Sequence, residues 1–287
     1  MVLESMVDML KKAAAKKSAV GAFNILDYNS MRAVIAAAED VNTPVIIQTS
    51  PAIVKFWGVG AIADWMRELA GKSSTPAVLH LDHCKDLELI RKCIEGGWTS
   101  VMIDASSKPL EENIALTKEV VAMAHPMGIS VEGELGRIGG VEDALAVKAE
   151  DANLAAPAEA EQFCKQTGID CLAPAVGTAH GVYKETPKIA FERIEEIAKR
   201  TGMPLALHGG TGLADEVFRR CIQCGCAKVN VSTHIKRAFI CGFTDYYDKH
   251  RQENDPLKVI NAQYERIKNE AAKFMNVFKN TCKNILL

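Results

Sequence analysis

No stretch of this chain is apolar for long enough to cross a bilayer, which argues against an integral membrane protein. Charge of one sign is not in surplus either: 34 Lys and Arg stand against 36 Asp and Glu, a net charge of −2, with both signs mixed along the chain. No partner among nucleic acids or membrane surfaces is therefore expected. The first residues, MVLESMVDMLKKAAAKK, lack the unbroken apolar core of a signal peptide, because Glu4 and Asp8 interrupt it. Met6, Met9 and Leu10 recur instead at helical spacing and predict an amphipathic helix packed on the body. The nine cysteines lack the even number and regular spacing of a disulfide framework. Cys221, Cys224 and Cys226 lack the second ligand pair that a structural zinc site requires. They read as small buried thiols in a reducing compartment, the cytoplasm.

What the chain has is repetition. Short runs rich in Val, Ile, Leu and Ala recur eight times: VGAFNI, PVIIQTS, PAVLHLD, SVMIDAS, SVEGELG, CLAPAVG, PLALHGG and KVNVST. They are too continuously apolar for half-exposed antiparallel strands and read as strands buried on both faces. Helical patterns such as SMRAVIAAAEDV, LELIRKCIEGG and ADEVFRRCIQCG separate them, several closed by Gly. Eight strand–helix units in 287 residues, 48% of them hydrophobic, predict an α/β fold, a single-domain (β/α)8 (TIM) barrel spanning residues 1–287. An N-terminal helix precedes it, and an extra C-terminal helix opens at Asn254-Asp255-Pro256.

The polar residues fall where that architecture places its chemistry, late in the strands. Asn24, Gln48, Ser50, Asp82, Asp104, Glu134, His208 and Asn230 all do so. Three histidines, His83, His180 and His208, each follow a short apolar run, and three imidazoles with one open position make the ligand set of a catalytic zinc ion. Asp82, next to His83, should point away from the ion if the strand continues regularly, which leaves it outside the coordination sphere and suited to proton transfer. Glu132 and Glu134 should share one face; Glu134 reads as an auxiliary metal ligand and Glu132 as a structural acceptor. The excursion GRIGGVEDALAVKAEDANLAAP after the fifth strand suggests a mobile loop over the site. HGGTG and NVST, after strands seven and eight, offer backbone N–H groups and the hydroxyls of Thr211, Ser232 and Thr233, which reads as a phosphate site.

HLDH, VEGELGRIGGVED, APAVGTAHGVYK, LHGGTG and KVNVST, in this order, resemble the class II, metal-dependent ketose-bisphosphate aldolases, the branch of the fructose- and tagatose-bisphosphate enzymes. The likeness runs from GAFN to the NDP of the last helix. It implies reversible cleavage of fructose or tagatose 1,6-bisphosphate into dihydroxyacetone phosphate and glyceraldehyde 3-phosphate. It also implies Zn2+ on His83, His180 and His208, with Glu134 and Asp104 able to hold a displaced or second divalent ion. Asp82 would donate the proton at the bond being made or broken, and Glu142 would exchange the proton of the three-carbon ketone. Gly181, Gly209, Gly210, Thr211, Asn230, Val231, Ser232 and Thr233 would cradle phosphate, with Asn24 and Ser50 placed beside the substrate. A monovalent cation (Na+ or K+) near Gly177 and Gly209, a homodimer or homotetramer and a helper subunit are further implications.

Rival readings differ in one feature each. A Schiff-base aldolase needs a lysine presented inside the barrel; CLAPAVG has none, and Lys228 enters strand eight at its far end. A metal-dependent epimerase or isomerase would share the metal chemistry without breaking the carbon chain. A same-family aldolase for another ketose phosphate, such as a deoxy-keto-gluconate phosphate, would differ only in its aldehyde half.

Overall fold

A computed structural model of the chain describes residues 4–142, 145–147, 153–181 and 187–279. Eight parallel strands close into a barrel: β1 (Val20–Asn24), β2 (Val45–Thr49), β3 (Ala77–Cys84), β4 (Ser100–Ile103), β5 (Ser130–Leu135), β8 (Cys171–Pro174), β10 (Leu205–Leu207) and β11 (Cys226–Val231). Each coincides with one of the eight apolar runs, except that β3 continues to Cys84 and β11 starts earlier, at Cys226, and β11 pairs with β1 to complete the (β/α)8 fold. Three further strands, β6 (Gly139–Glu142), β7 (Leu145–Val147) and β9 (Ala179–His180), form a separate small sheet in the order β7-β6-β9. Part of the excursion after the fifth strand is thus a ribbon, which the sequence reading of a loop over the site did not include. Backbone pairing that joins it to residues 179–180 supplies the order.

Helices wrap the barrel: α1 (Met6–Ala15), α2 (Tyr28–Val41), α3 (Pro51–Trp57), α4 (Val59–Lys72), α5 (Leu87–Gly96), α6 (Leu110–Ala124), α7 (Pro157–Thr167), α8 (Phe191–Thr201), α9 (Asp215–Cys224), α10 (Thr233–Lys249) and α11 (Pro256–Lys279). Local signals set several boundaries. Asp27 and Ser30 form a reciprocal capping box at the start of α2, and Asp86 accepts from the Glu88 and Leu89 amides to open α5. Sequence periodicity does not reveal α3, a seven-residue helix, or α10, whose buried face is only Ile235, Ala238 and Gly242.

Two apolar cores result from the alternation of side chains along each strand. One face of the strands packs against the surrounding helices, for example Phe23, Ile47, Leu79, Leu81, Val101 and Val229. The alternate residues Val20, Ala22, Ile46, Val78, Cys171, Ala173 and Ala206 fill the lower barrel and meet Met6, Met9 and Leu10 of α1, which closes the barrel floor. Above this floor the barrel interior holds the buried polar side chains of His80, Glu132 and Lys228, with the candidate site residues beyond them toward the strand exits.

Candidate active site

Two local irregularities aim the central side chains. In β3, Leu81 pairs with Val101 of β4 and Cys84 with Ile103, so Asp82 and His83 together oppose one residue. His83 takes a positive φ of 47°, an uncommon conformation for a non-glycine residue. This bulge turns both neighbours into the barrel, whereas regular alternation would have sent them to opposite faces. Asp82 is the more regular of the two; the bulge redirects His83. In β11, Leu205 of β10 pairs with Cys226 and Ala206 with Lys228, so Ala227 is an inserted residue.

The three histidines converge. Their ring centroids lie 5.0 Å apart for His83 and His180, 4.7 Å for His83 and His208, and 6.2 Å for His180 and His208. One nitrogen from each falls within 4.8 Å of the others. His83 and His208 come from barrel strand ends, but His180 does not sit at the exit of β8. It stands in β9, held by parallel pairing with Gly139 and Gly140 of β6.

His83 Nε2 and His208 Nδ1 are 3.0 Å apart. The other nitrogens are engaged outward: His83 Nδ1 with Asp104 Oδ2 at 3.3 Å, and His208 Nε2 with Glu132 Oε1 at 2.8 Å. An ionised carboxylate can only accept, so each ring carries its proton on the outer nitrogen. The inner nitrogens then present lone pairs to each other, an arrangement that a cation between them relieves. The donor set therefore fits a divalent ion. Burial pushes the Asp104 carboxyl up, but the His83 contact and the Ser106 hydroxyl hold it below the usual range. Burial likewise pushes Glu132 up, and the Lys228 charge with the His208 hydrogen bond more than reverses this. Burial pushes His208 down, which keeps its ring neutral.

Glu134 behaves differently. Burial, then the neighbouring Asp104 charge, raise it well above the ordinary carboxyl value. Its Oε2 is buried without a hydrogen-bond partner and lies 3.6 Å from both His83 Nδ1 and His208 Nδ1. With His83 and Asp104 it forms a second group whose ligand atoms lie within 4.8 Å of one another.

Asp82, 1% exposed, is fixed by two amides: Asn24 Nδ2 donates to Oδ2 at 2.9 Å and Asn230 Nδ2 to Oδ1 at 3.3 Å. Gln48 Nε2 in turn donates to Asn24 Oδ1 at 2.9 Å. Lys228 corrects the sequence reading. It is fully buried inside the barrel, with Nζ 2.9 Å from Glu132 Oε2 and donating to Asn230 Oδ1 at 2.7 Å. Its place on the same face as Asn230, two residues on, was the available signal; the apolar run and the strand-entry position masked it. Glu132 is consequently an ion-pair partner as well as an acceptor.

Beside the histidines, Gly209 has φ 69°, and a Cβ there would meet the Ala179 backbone at 2.7 Å, so only glycine lets this turn approach β9. Gly181 follows with φ 81°. Gly210 packs under the Phe218 ring, and Thr211 is half-buried beyond it. Ser232 precedes α10; its hydroxyl is buried, makes no capping bond and has no hydrogen-bond partner, and Thr233 opens the helix. Val231 points its side chain into the outer core and offers the site only its backbone. Ser50 is buried at the start of α3 and its side chain makes no cap bond. Glu142 ends β6, with its side chain outside the described atoms, and Asp143 lies outside the described residues.

The family described as Fructose-bisphosphate aldolase class-II matches residues 4–283, nearly the whole chain. The chain belongs to the class II fructose-bisphosphate aldolases. A fructose-bisphosphate aldolase of Geobacillus stearothermophilus is 42% identical over 273 residues, covering 93% of this chain and 94% of that one. The D-tagatose-1,6-bisphosphate aldolase subunit GatY of Klebsiella oxytoca is 39% identical, covering 96% and 98%. Among solved structures, the YdjI aldolase of Escherichia coli K12 superposes with a TM-score of 0.86 at 31% identity, covering 98% of this chain and 99% of that one. As a class II aldolase the chain is a carbon–carbon lyase of a class that works with a divalent metal, and its histidine and carboxylate groups are of the kind that bind one.

Proposed function

We propose that this class II aldolase reversibly cleaves a ketose 1,6-bisphosphate, fructose or tagatose, to dihydroxyacetone phosphate and glyceraldehyde 3-phosphate, using zinc held by His83, His180 and His208. The observation that carries the metal reading is the 3.0 Å approach of two imidazole nitrogens whose partners across each ring are carboxylates. When bound, the ion supplies Lewis acidity that stabilises the negative charge left on the ketone half as the carbon–carbon bond breaks. Asp104 and Glu134 would hold a displaced or second divalent ion.

Asp82 takes the proton of the fourth-carbon hydroxyl during cleavage and returns it to the aldehyde oxygen during condensation. Its two amide donors keep the carboxylate aimed while it does so. Glu142 delivers or removes the proton on the ketone carbon. The phosphate of the three-carbon half rests on backbone amides of Gly181, Gly209, Gly210 and Thr211 and of Asn230–Thr233, at the positive end of α10. The buried, partnerless Ser232 hydroxyl supports that placement. Asn24 and Ser50 face the remainder of the sugar. A monovalent cation (Na+ or K+) near Gly177 and Gly209 has support in the buried Thr178 hydroxyl, which also lacks a partner.

We read the chain as one domain working in the cytoplasm, where its free thiols stay reduced. It assembles as a homodimer or homotetramer, and the word subunit in the name of the GatY relative supports a helper protein as well.

The test is direct. Chelation should abolish triose phosphate release from fructose and tagatose 1,6-bisphosphate, and added zinc should restore it for one or both sugars. Full turnover by metal-free protein would refute the zinc reading, and failure of the zinc-loaded enzyme on both sugars would refute the substrate.

A further inference from the structure

Lys228 is the only lysine or arginine among the described residues that is fully buried, and it touches neither the histidine nitrogens that face one another nor a surface. An ammonium in such a place needs strong partners, because burying a charge alone is costly. Its two partners lead to the two halves of the site. Glu132 receives Lys228 on Oε2 and His208 Nε2 on Oε1. Asn230 receives Lys228 on Oδ1 and gives its Nδ2 to Asp82.

The contact with Asn230 decides an orientation. An amide can turn over and exchange its oxygen and nitrogen. Lys228, a donor only, holds the Asn230 oxygen toward itself and so leaves the N–H face for Asp82. On the other side Glu132 Oε2, 2.9 Å away, gives the buried ammonium its counter-charge. We infer that Lys228 is a positioning residue for the proton-transfer half of the reaction, orienting Asp82 through Asn230. This rests on the role proposed above for Asp82.

Removing the lysine alone leaves Glu132 buried and unpaired, so the Lys228→Met chain is at risk of misfolding. The double variant Lys228→Met/Glu132→Gln avoids this: both charges go, and the side-chain amide oxygen introduced at position 132 still accepts from His208. Only the Asn230 arm is then lost. The readouts are bound zinc, steady-state cleavage of the faster of the two bisphosphates, and exchange of the ketone-carbon hydrogen of dihydroxyacetone phosphate with solvent. Exchange needs the metal and the base but not the Asp82 proton, so it reports the histidine half separately.

In the double variant, zinc content should match the unsubstituted enzyme and exchange should persist. Cleavage kcat should fall by roughly 10- to 100-fold with little change in KM, as expected for a misplaced proton acceptor. Unchanged cleavage would overturn the inference, and so would an equal loss of cleavage and exchange, the mark of a merely structural pair. Asp82→Ala is measured in parallel. If it loses cleavage while the double variant does not, the lysine inference alone fails. If Asp82→Ala cleaves at full rate, the role of Asp82 itself has failed and takes the lysine route with it.

Discussion

On the role proposed for it, Asp82 illustrates how a single carboxylate is held for proton transfer by a chain of side-chain amides. Gln48 fixes Asn24, Asn24 donates to one oxygen of Asp82, and Asn230 donates to the other. A positioned acid–base group contributes about 10²–10⁴-fold in rate. Asp82→Ala should therefore retain zinc and hydrogen exchange on dihydroxyacetone phosphate while its cleavage rate falls by that order. Zinc analysis beside the two rate assays checks this, and a normal cleavage rate would remove Asp82 from the chemistry. At this scale the sequence was most readable. His83, His208, Asp104 and Glu134 meet as their strand positions suggest. The directions of side chains were less readable, because the β3 bulge and the positive φ of His83 depend on pairing with β4 rather than on local residues. Lys228 was hidden for a related reason: its role depends on Glu132, nearly a hundred residues away, and charge alternation along β11 carries no trace of it.

Among the elements, α1 closes the barrel floor and the small sheet carries His180. Leu10 of α1 is fully buried against the lower barrel residues, and large-to-small changes at such positions cost about 2–5 kcal/mol. Leu10→Ala should lower the urea midpoint of the zinc-loaded protein accordingly, and an unchanged midpoint would show that α1 is dispensable to the barrel. Gly209→Ala has a different target. A methyl group there collides with the backbone that leads into His180, in a conformation that disfavours side chains. Competition with a zinc chelator should show weaker metal binding while the circular dichroism spectrum stays that of the barrel. Equal affinity would mean that β9 moves aside without consequence. The helix α1 was legible from three apolar residues at helical spacing, but the ribbon was not. Its strands are short, β9 lies far from β6 in sequence, and the pairing is through backbone groups, which leave little mark on side-chain pattern.

For the whole molecule, the eightfold alternation made the barrel legible, and the same closure explains its response to acid. His80 lies under the site with Nδ1 on the Ser100 hydroxyl at 2.8 Å, and burial, then the Lys228 charge, push it down from 6.5 to about 3. The unfolded chain takes up a proton near pH 6.5 that the folded barrel refuses, so stability falls as the pH drops from about 6.5 toward about 3. Glu132, held low, adds a loss of the same sign only below its ordinary value of 4.5. Between these limits the histidine contribution is read best. Urea midpoints of metal-free protein should be lower at about pH 5 than at about pH 7, and His80→Gln should narrow the gap. A gap that the substitution leaves unchanged would place the sensitivity elsewhere. No helix among the described residues is long and apolar enough to cross a membrane.

The position of His180 outside the barrel wall has one more implication. Two imidazoles ride on the staves and the third on a neighbouring ribbon, so whatever all three grasp also laces that ribbon to the rim. On the roles proposed for the three histidines and Glu142, filling the site and seating the segment that carries Glu142 would be one mechanical event, and stripping the ion would undo both.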